Sequence, residues 1–246
     1  MIRIPTTGGG RYLVPLLVLV GAAAATQVAR ELLETRGVAA DLATAILLDV
    51  VASQVGAPWH GRGRDTKELL RGAGLGLTGV LATTLVAVTI GRATLAPGAP
   101  TPLTVPFALV VSAAFAVRSG LLYLWLPDRL LGGFRGKDVV LALGFVAPSV
   151  LTGRWAPLLP LAALGALAVV LLRRSRSPLP PIGALFGVHL GATLVAPSVL
   201  GVRFASGSIT PPDRASSEAA LWLTAGLVAL TVGAWRVAGR GEARPT

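Results

Sequence analysis

Leu179–Leu200 reads LPPIGALFGVHLGATLVAPSVL, an apolar run with a single ionisable side chain, His189, near its middle. At about 1.5 Å of rise per residue, a helix of this length covers the roughly 30 Å hydrocarbon layer of a bilayer. Gly183, Gly187 and Gly191 recur every fourth residue and so line one face. With no side chain in the way, a neighbouring helix approaches closely there, which is how helices associate in lipid. His189 and Thr193 lie one turn apart on another face and are placed to serve one site. An ionisable group at this depth is costly and faces the protein interior, which makes His189 a candidate site residue. The structural alternative is a histidine hydrogen-bonded to a carbonyl or hydroxyl inside the bundle.

The rest of the chain repeats this pattern. Of 246 residues, 53% are hydrophobic and only 13% are charged, where a soluble domain carries about 25% charged residues. The mean hydropathy is +0.73. These values, with apolar runs of about 17–22 residues, indicate an all-α, polytopic membrane helix bundle. The net charge of +11 is spread over short loops between the apolar runs. That is the pattern of membrane topology and lipid head groups, so no nucleic-acid partner is expected. Cysteine is absent, which removes disulfides, thiolate nucleophiles and cysteine-based metal sites.

Eight spans are expected. The first, Tyr12–Ala29, resembles a secretory signal peptide in its flanking arginines and its alanine run but is read as a retained anchor. Arg30–Arg36 connects it to the second span, Val38–Gly56, which carries Asp41 and Asp49. Asp41 is expected at the interface and Asp49 deep. The basic loop Ala57–Arg71 contains His60 and precedes the third span, Ala73–Gly91, which opens with Gly72, Gly74, Gly76 and Gly79. Arg118 sits inside the fourth span, Val105–Leu126. Arginine keeps its charge, so it needs a partner, and Asp49 is the expected one. The fifth span, Asp138–Thr152, is short and is expected to kink at Pro148. The sixth is Ala156–Leu172, the seventh is the His189 run, and the eighth is Glu218–Trp235. Counted by alternate loops, lysines and arginines divide 15 against 6, with Arg118 set apart. That division puts both termini in the cytoplasm. Two regions are expected: residues 1–72 with two spans and the basic loop, and a transmembrane core over residues 73–246.

Soluble-enzyme motifs are missing: no Walker loop, no GxGxxG between strand and helix, no HExxH. Two histidines cannot build a zinc site without carboxylates that the spans largely lack, and no cofactor is expected. VRSG around Ser119 departs from a rhomboid-type serine motif in its flanking residues.

The run AAFAVRSGLL (Ala113–Leu122), the run FVAPS (Phe145–Ser149) and the stretch Leu158–Leu194 follow one another along the chain. In this order they resemble the CPBP family of intramembrane proteases, the CAAX-protease and bacteriocin-processing proteins related to Rce1-type endopeptidases. The likeness covers about the last two-thirds of the chain. Arg118 falls on the arginine of the family's EExxxR motif, Phe145 on the phenylalanine of FxxxH, and His189 on the histidine of HxxxN. The resemblance implies a bundle of about eight spans that cleaves membrane-embedded peptides or lipid-anchored tails. His189 and Arg118 would be its catalytic or orienting residues. Ala113 and Ala114 replace the paired glutamates, Ser149 the second histidine, and Thr193 the Asn or Asp. Activating a water needs a group that accepts a proton near neutral pH, and alanine cannot.

The expectation is therefore a catalytically degenerate relative in the lipid bilayer, its site residues being His189 and Arg118, with Thr193, Ser149, Phe145 and Asp49 beside the substrate. Its expected partners are a membrane-embedded peptide or protein tail and a partner protease or transporter subunit. The expected location is a bacterial inner membrane. The alternative is a transporter or permease component in which Asp49, Arg118 and His189 line a polar path. A purely structural assembly subunit is the third option.

Overall fold

The computed structural model describes residues 37–54, 58–59, 65–196, 199–205 and 217–241. The expected first span, the Arg30–Arg36 connection and His60 lie outside the described residues. The described chain is helical apart from two short strands. Helix α1 spans Gly37–Gln54, α2 Asp65–Thr89 and α3 Thr104–Gly120; a π-helical turn, Leu121–Trp125, carries α3 into α4, Leu126–Leu131. There follow α5 (Lys137–Gly144), α6 (Ala147–Leu151), α7 (Leu158–Ser175), α8 (Leu179–Val195) and α9 (Ser217–Gly241). Strands β1 (Ala93–Leu95) and β2 (Val202–Phe204) pair antiparallel, Ala93 opposite Phe204.

Among the described residues, four helical stretches are long and apolar enough to cross a membrane: Thr66–Thr89, Thr104–Leu131, Leu158–Ser175 and Glu218–Arg236. The His189 helix is apolar but stops at Val195 after 17 residues. Ala196 leaves the helix with an extended backbone (ψ 155°) because Pro197 disfavours the helical region for the residue before it. Helix α2 begins at Asp65, well inside the expected basic loop. Lys, Glu, Leu and Arg are good helix formers, so the helix outruns its apolar part, and the expected boundary at residue 72 falls within it. The expected fifth span is divided into α5 and α6, with the break at Phe145–Val146 just ahead of Pro148. A proline ring clashes with the carbonyl four residues back. Large apolar side chains, Ile46, Leu85, Phe107 and Trp235 among them, remain exposed on the outside, as a lipid-facing surface requires.

The α2–α8 pair forms the most extensive contact between elements. Gly72 and Gly76 of α2 lie against the carbonyls of Pro180 and Ala184; Gly183 and Gly187 of α8 lie against those of Leu69 and Ala73. A Cβ on any of the four would overlap the opposing oxygen, so the glycine stripe is a seam where two backbones touch. Gly74 faces open space and takes no part. Because the contacting numbers rise together, α2 and α8 run parallel, and the β1–β2 ladder joins the segments that follow them. Helix α3 runs antiparallel to α8, since Ser112 meets His189 and Gly120 meets Ile182. Helices α5 and α7 are antiparallel, since Asp138 meets Arg173 and Ala142 meets Gly165. Helices α3 and α8 thus cross in opposite senses, with Phe115, Arg118 and His189 in the interior between them.

Candidate functional site

Three helices contribute one chain of polar contacts. Asp41 of α1 and Arg118 of α3 form an ion pair, Nη1 to Oδ1 at 2.6 Å, with side chains 3% and 5% exposed. Arg118 Nη2 also donates to Ser119 Oγ at 3.2 Å. Its guanidinium carbon lies 5.4 Å from the centre of the Phe115 ring, within reach of a cation–π attraction. His189 of α8 stacks on the same ring at 4.5 Å between centroids. Ser112 Oγ and His189 Nδ1 share a hydrogen bond of 3.0 Å. Residues 112, 115 and 118–119 are three or four apart, so one stripe of α3 supplies the serine, the ring and the cation. The π turn begins at Leu121, immediately after this stripe; such turns recur at functional sites.

The expected Asp49–Arg118 pair is corrected by this geometry. Asp41 holds Arg118, while Asp49 is half-buried and accepts a 2.6 Å hydrogen bond from Trp59 Nε1. Eight residues of helix rotate by roughly 80° beyond two full turns and rise about 12 Å. The two aspartates therefore cannot face one point, and the one expected at the interface is the buried one. Thr193, expected beside the substrate, donates its hydroxyl to the His189 carbonyl at 2.9 Å. It is half-buried and serves its own helix.

A cleft opens beside Arg118. Arg118, Ser119, Tyr123, Phe145, Ser149 and Arg154 line it together with Phe115 and Thr152, around a cavity of about 30 Å³. By the usual allowance of about 10–15 Å³ per enclosed water, that holds roughly two waters or a terminal group of similar size. Three of the residues singled out in the sequence, Arg118, Phe145 and Ser149, meet here. His189, Thr193 and Asp49 are not among its lining residues. The lining offers guanidinium and hydroxyl groups and no carboxylate. Arg118 Nε is buried without a hydrogen-bond partner among the described residues. Phe145 packs on Tyr123 at 5.4 Å between ring centres, and the α5–α6 break places Ser149 opposite Arg118.

Sequence reasoning passed over Ser112, Phe115, Tyr123 and Arg154. The first two were legible as the same helical stripe as Arg118. Tyr123 depends on the π turn and Arg154 on the turn after α6, neither of which leaves a periodic signal. Among the described residues no group of three His, Asp or Glu side chains is placed to hold a metal. Comparison with family models, with curated proteins and with solved structures gives no match for this chain.

Proposed function

We propose that this chain is an integral membrane protein of the CPBP type that binds the end of a membrane-embedded peptide or protein tail without hydrolysing it. The observation that carries the reading is the Arg118 cleft, rich in donors, free of carboxylates among its lining residues and partly filled by aromatic rings. Donors without a base suit holding an acceptor such as a carboxylate or amide carbonyl. Hydrolysis would need a proton acceptor in reach of the attacking water. His189 is instead engaged by Ser112 and stacked on the Phe115 ring. In this reading eight spans leave both termini in the cytoplasm of a bacterial inner membrane, as the loop charges suggest.

The test uses the full chain in lipid nanodiscs and a fluorescent hydrophobic peptide of about 20 residues. The free carboxylate form is expected to bind at least tenfold more tightly than its amide. Ser149→Phe, which fills the cleft, is expected to abolish the difference. No cleavage product is expected by mass spectrometry. Cleavage that His189→Ala removes would overturn the reading in favour of a protease.

A second reading, a polar transport path, is favoured by the Asp41–Arg118 and His189–Ser112 contacts meeting at one ring across three helices. Substrate flux in liposomes that Asp41→Asn abolishes, without tail binding, would select it.

A further inference from the structure

A second cavity, of about 360 Å³, lies away from the Arg118 cleft, lined by Trp125, Asp128, Arg129, Leu172, Arg173 and Arg176. Its volume falls in the range of small-ligand sites, roughly 300–1,000 Å³. Helices α4 and α7 both end here, at Leu131 and Ser175, so the cavity sits where apolar helices give way to charged loops. Its two acidic neighbours are already neutralised. Asp128 receives Arg173 Nη1 at 2.7 Å and Lys137 Nζ at 3.1 Å, and Asp138 receives Arg173 Nε at 2.8 Å. That leaves Arg129 and Arg176, both exposed and neither with a carboxylate partner among the described residues. Arg129 is held in place, its guanidinium carbon 4.2 Å from the centre of the Trp125 ring. Arg176 ends α7 in the left-handed conformation (φ 55°), a position at which glycine is the usual occupant. An arginine fits that backbone poorly. Beneath the cations, Trp125 and Leu172 are buried and give the cavity an apolar floor.

We infer that this cavity is a binding site for a phosphate-bearing ligand, with Arg129 and Arg176 as the forks that grip the phosphate oxygens. Guanidinium pairs match phosphate geometry in two-pronged fashion. The ordered Arg173–Asp128–Asp138 cluster fixes the wall without competing for the anion. The location selects between two sources of one chemistry, the head group of an anionic lipid and free phosphate. A lipid seats its glycerol on the Trp125–Leu172 floor, whereas free phosphate has no use for it.

The test measures equilibrium binding by thermophoresis to the purified full chain in a maltoside micelle. The probes are dioctanoyl phosphatidylglycerol, dioctanoyl phosphatidylcholine and inorganic phosphate. Phosphatidylglycerol is expected to bind saturably and at least tenfold more tightly than phosphatidylcholine. Arg129→Gln with Arg176→Gln is expected to weaken it at least tenfold. A control removing equal charge elsewhere, Arg135→Gln with Arg203→Gln, is expected to change it less than threefold. Arg129→Lys with Arg176→Lys keeps the charge and loses the fork, and an intermediate loss is expected. Inorganic phosphate that displaces phosphatidylglycerol with the same variant sensitivity identifies free phosphate as an occupant; failure to displace it identifies the lipid. Equal affinity for the two lipids, equal losses in the two glutamine pairs, or a lysine pair that binds like the parent would each overturn the site. Both arginines are exposed, and unchanged melting temperatures check that the variants fold.

Discussion

Arg118→Gln is the perturbation with the sharpest expected result. The guanidinium is 5% exposed and sits 2.6 Å from a carboxylate that is 3% exposed. Removing it strands Asp41 in a medium that cannot solvate it. Breaking such a pair costs about 3–5 kcal/mol, mostly the penalty of the charge left behind. Asp41→Asn alone strands Arg118, which cannot shed its proton, and its cost should fall in the same range. Together, Arg118→Gln and Asp41→Asn leave two neutral amides able to hydrogen-bond each other. The double variant should therefore recover about 2–4 kcal/mol relative to the sum of the two. The assay is thermal or denaturant unfolding of the purified chain in a fixed detergent, read by tryptophan fluorescence. Asp49→Asn supplies the contrast: it weakens a hydrogen bond to Trp59, costs about 0.5–1.5 kcal/mol, and should add to Arg118→Gln without coupling. Additivity between Arg118 and Asp41, or coupling of that size between Arg118 and Asp49, would refute the pairing.

Two other expectations come from the packing. Gly187→Ala pushes a methyl into the Ala73 carbonyl at the α2–α8 seam and should destabilise by about 1–3 kcal/mol. Gly74→Ala meets open space and should leave the melting temperature within a degree or two. Ser112→Ala removes the hydroxyl beside His189 and should cost about 1–2 kcal/mol without altering tail binding at the Arg118 cleft. A loss of tail binding in Ser112→Ala would show that His189 reaches the bound ligand.

Several of the apolar helices, the glycine faces and the break near Pro148 are readable because each leaves a local mark: apolar length, closely spaced glycines, a proline; that the glycine faces of α2 and α8 meet each other is not. The partner of Arg118 was not readable, because two aspartates stood on one helix and the choice depended on how α1 is rotated and set against α3. Distance to the span's end places Asp41 toward the membrane interface, but that says nothing about whether its side chain is covered by protein. Burial follows the neighbours a residue meets, and the start of α1 packs against the interior of α3. The cleft was half legible. Phe145 and Ser149 were named through the family resemblance, but their meeting with Arg118 required the break between α5 and α6.

Alanines at positions 113 and 114 fit the rest of this interior. Ala114 is buried, and so are Ser112, Phe115, Arg118 and Ser119 around it. Arg118 already has Asp41 from α1 as its counter-charge. Residue 114 is not among those lining the cleft, so a carboxylate there would be buried beside an arginine that is already paired, and it would stay protonated or destabilise the bundle. The same pairing fixes Arg118 in place, so under the proposed function its remaining donor and the hydroxyls of Ser119 and Ser149 would form a preset receptor. A base that turned over would need freedom to gain and lose a proton, whereas His189 is held by Ser112 and by the Phe115 ring. Under the proposed function, an interior of this kind would give rigidity where hydrolysis would need a mobile proton, and preorganisation of that sort lowers the cost of holding a ligand.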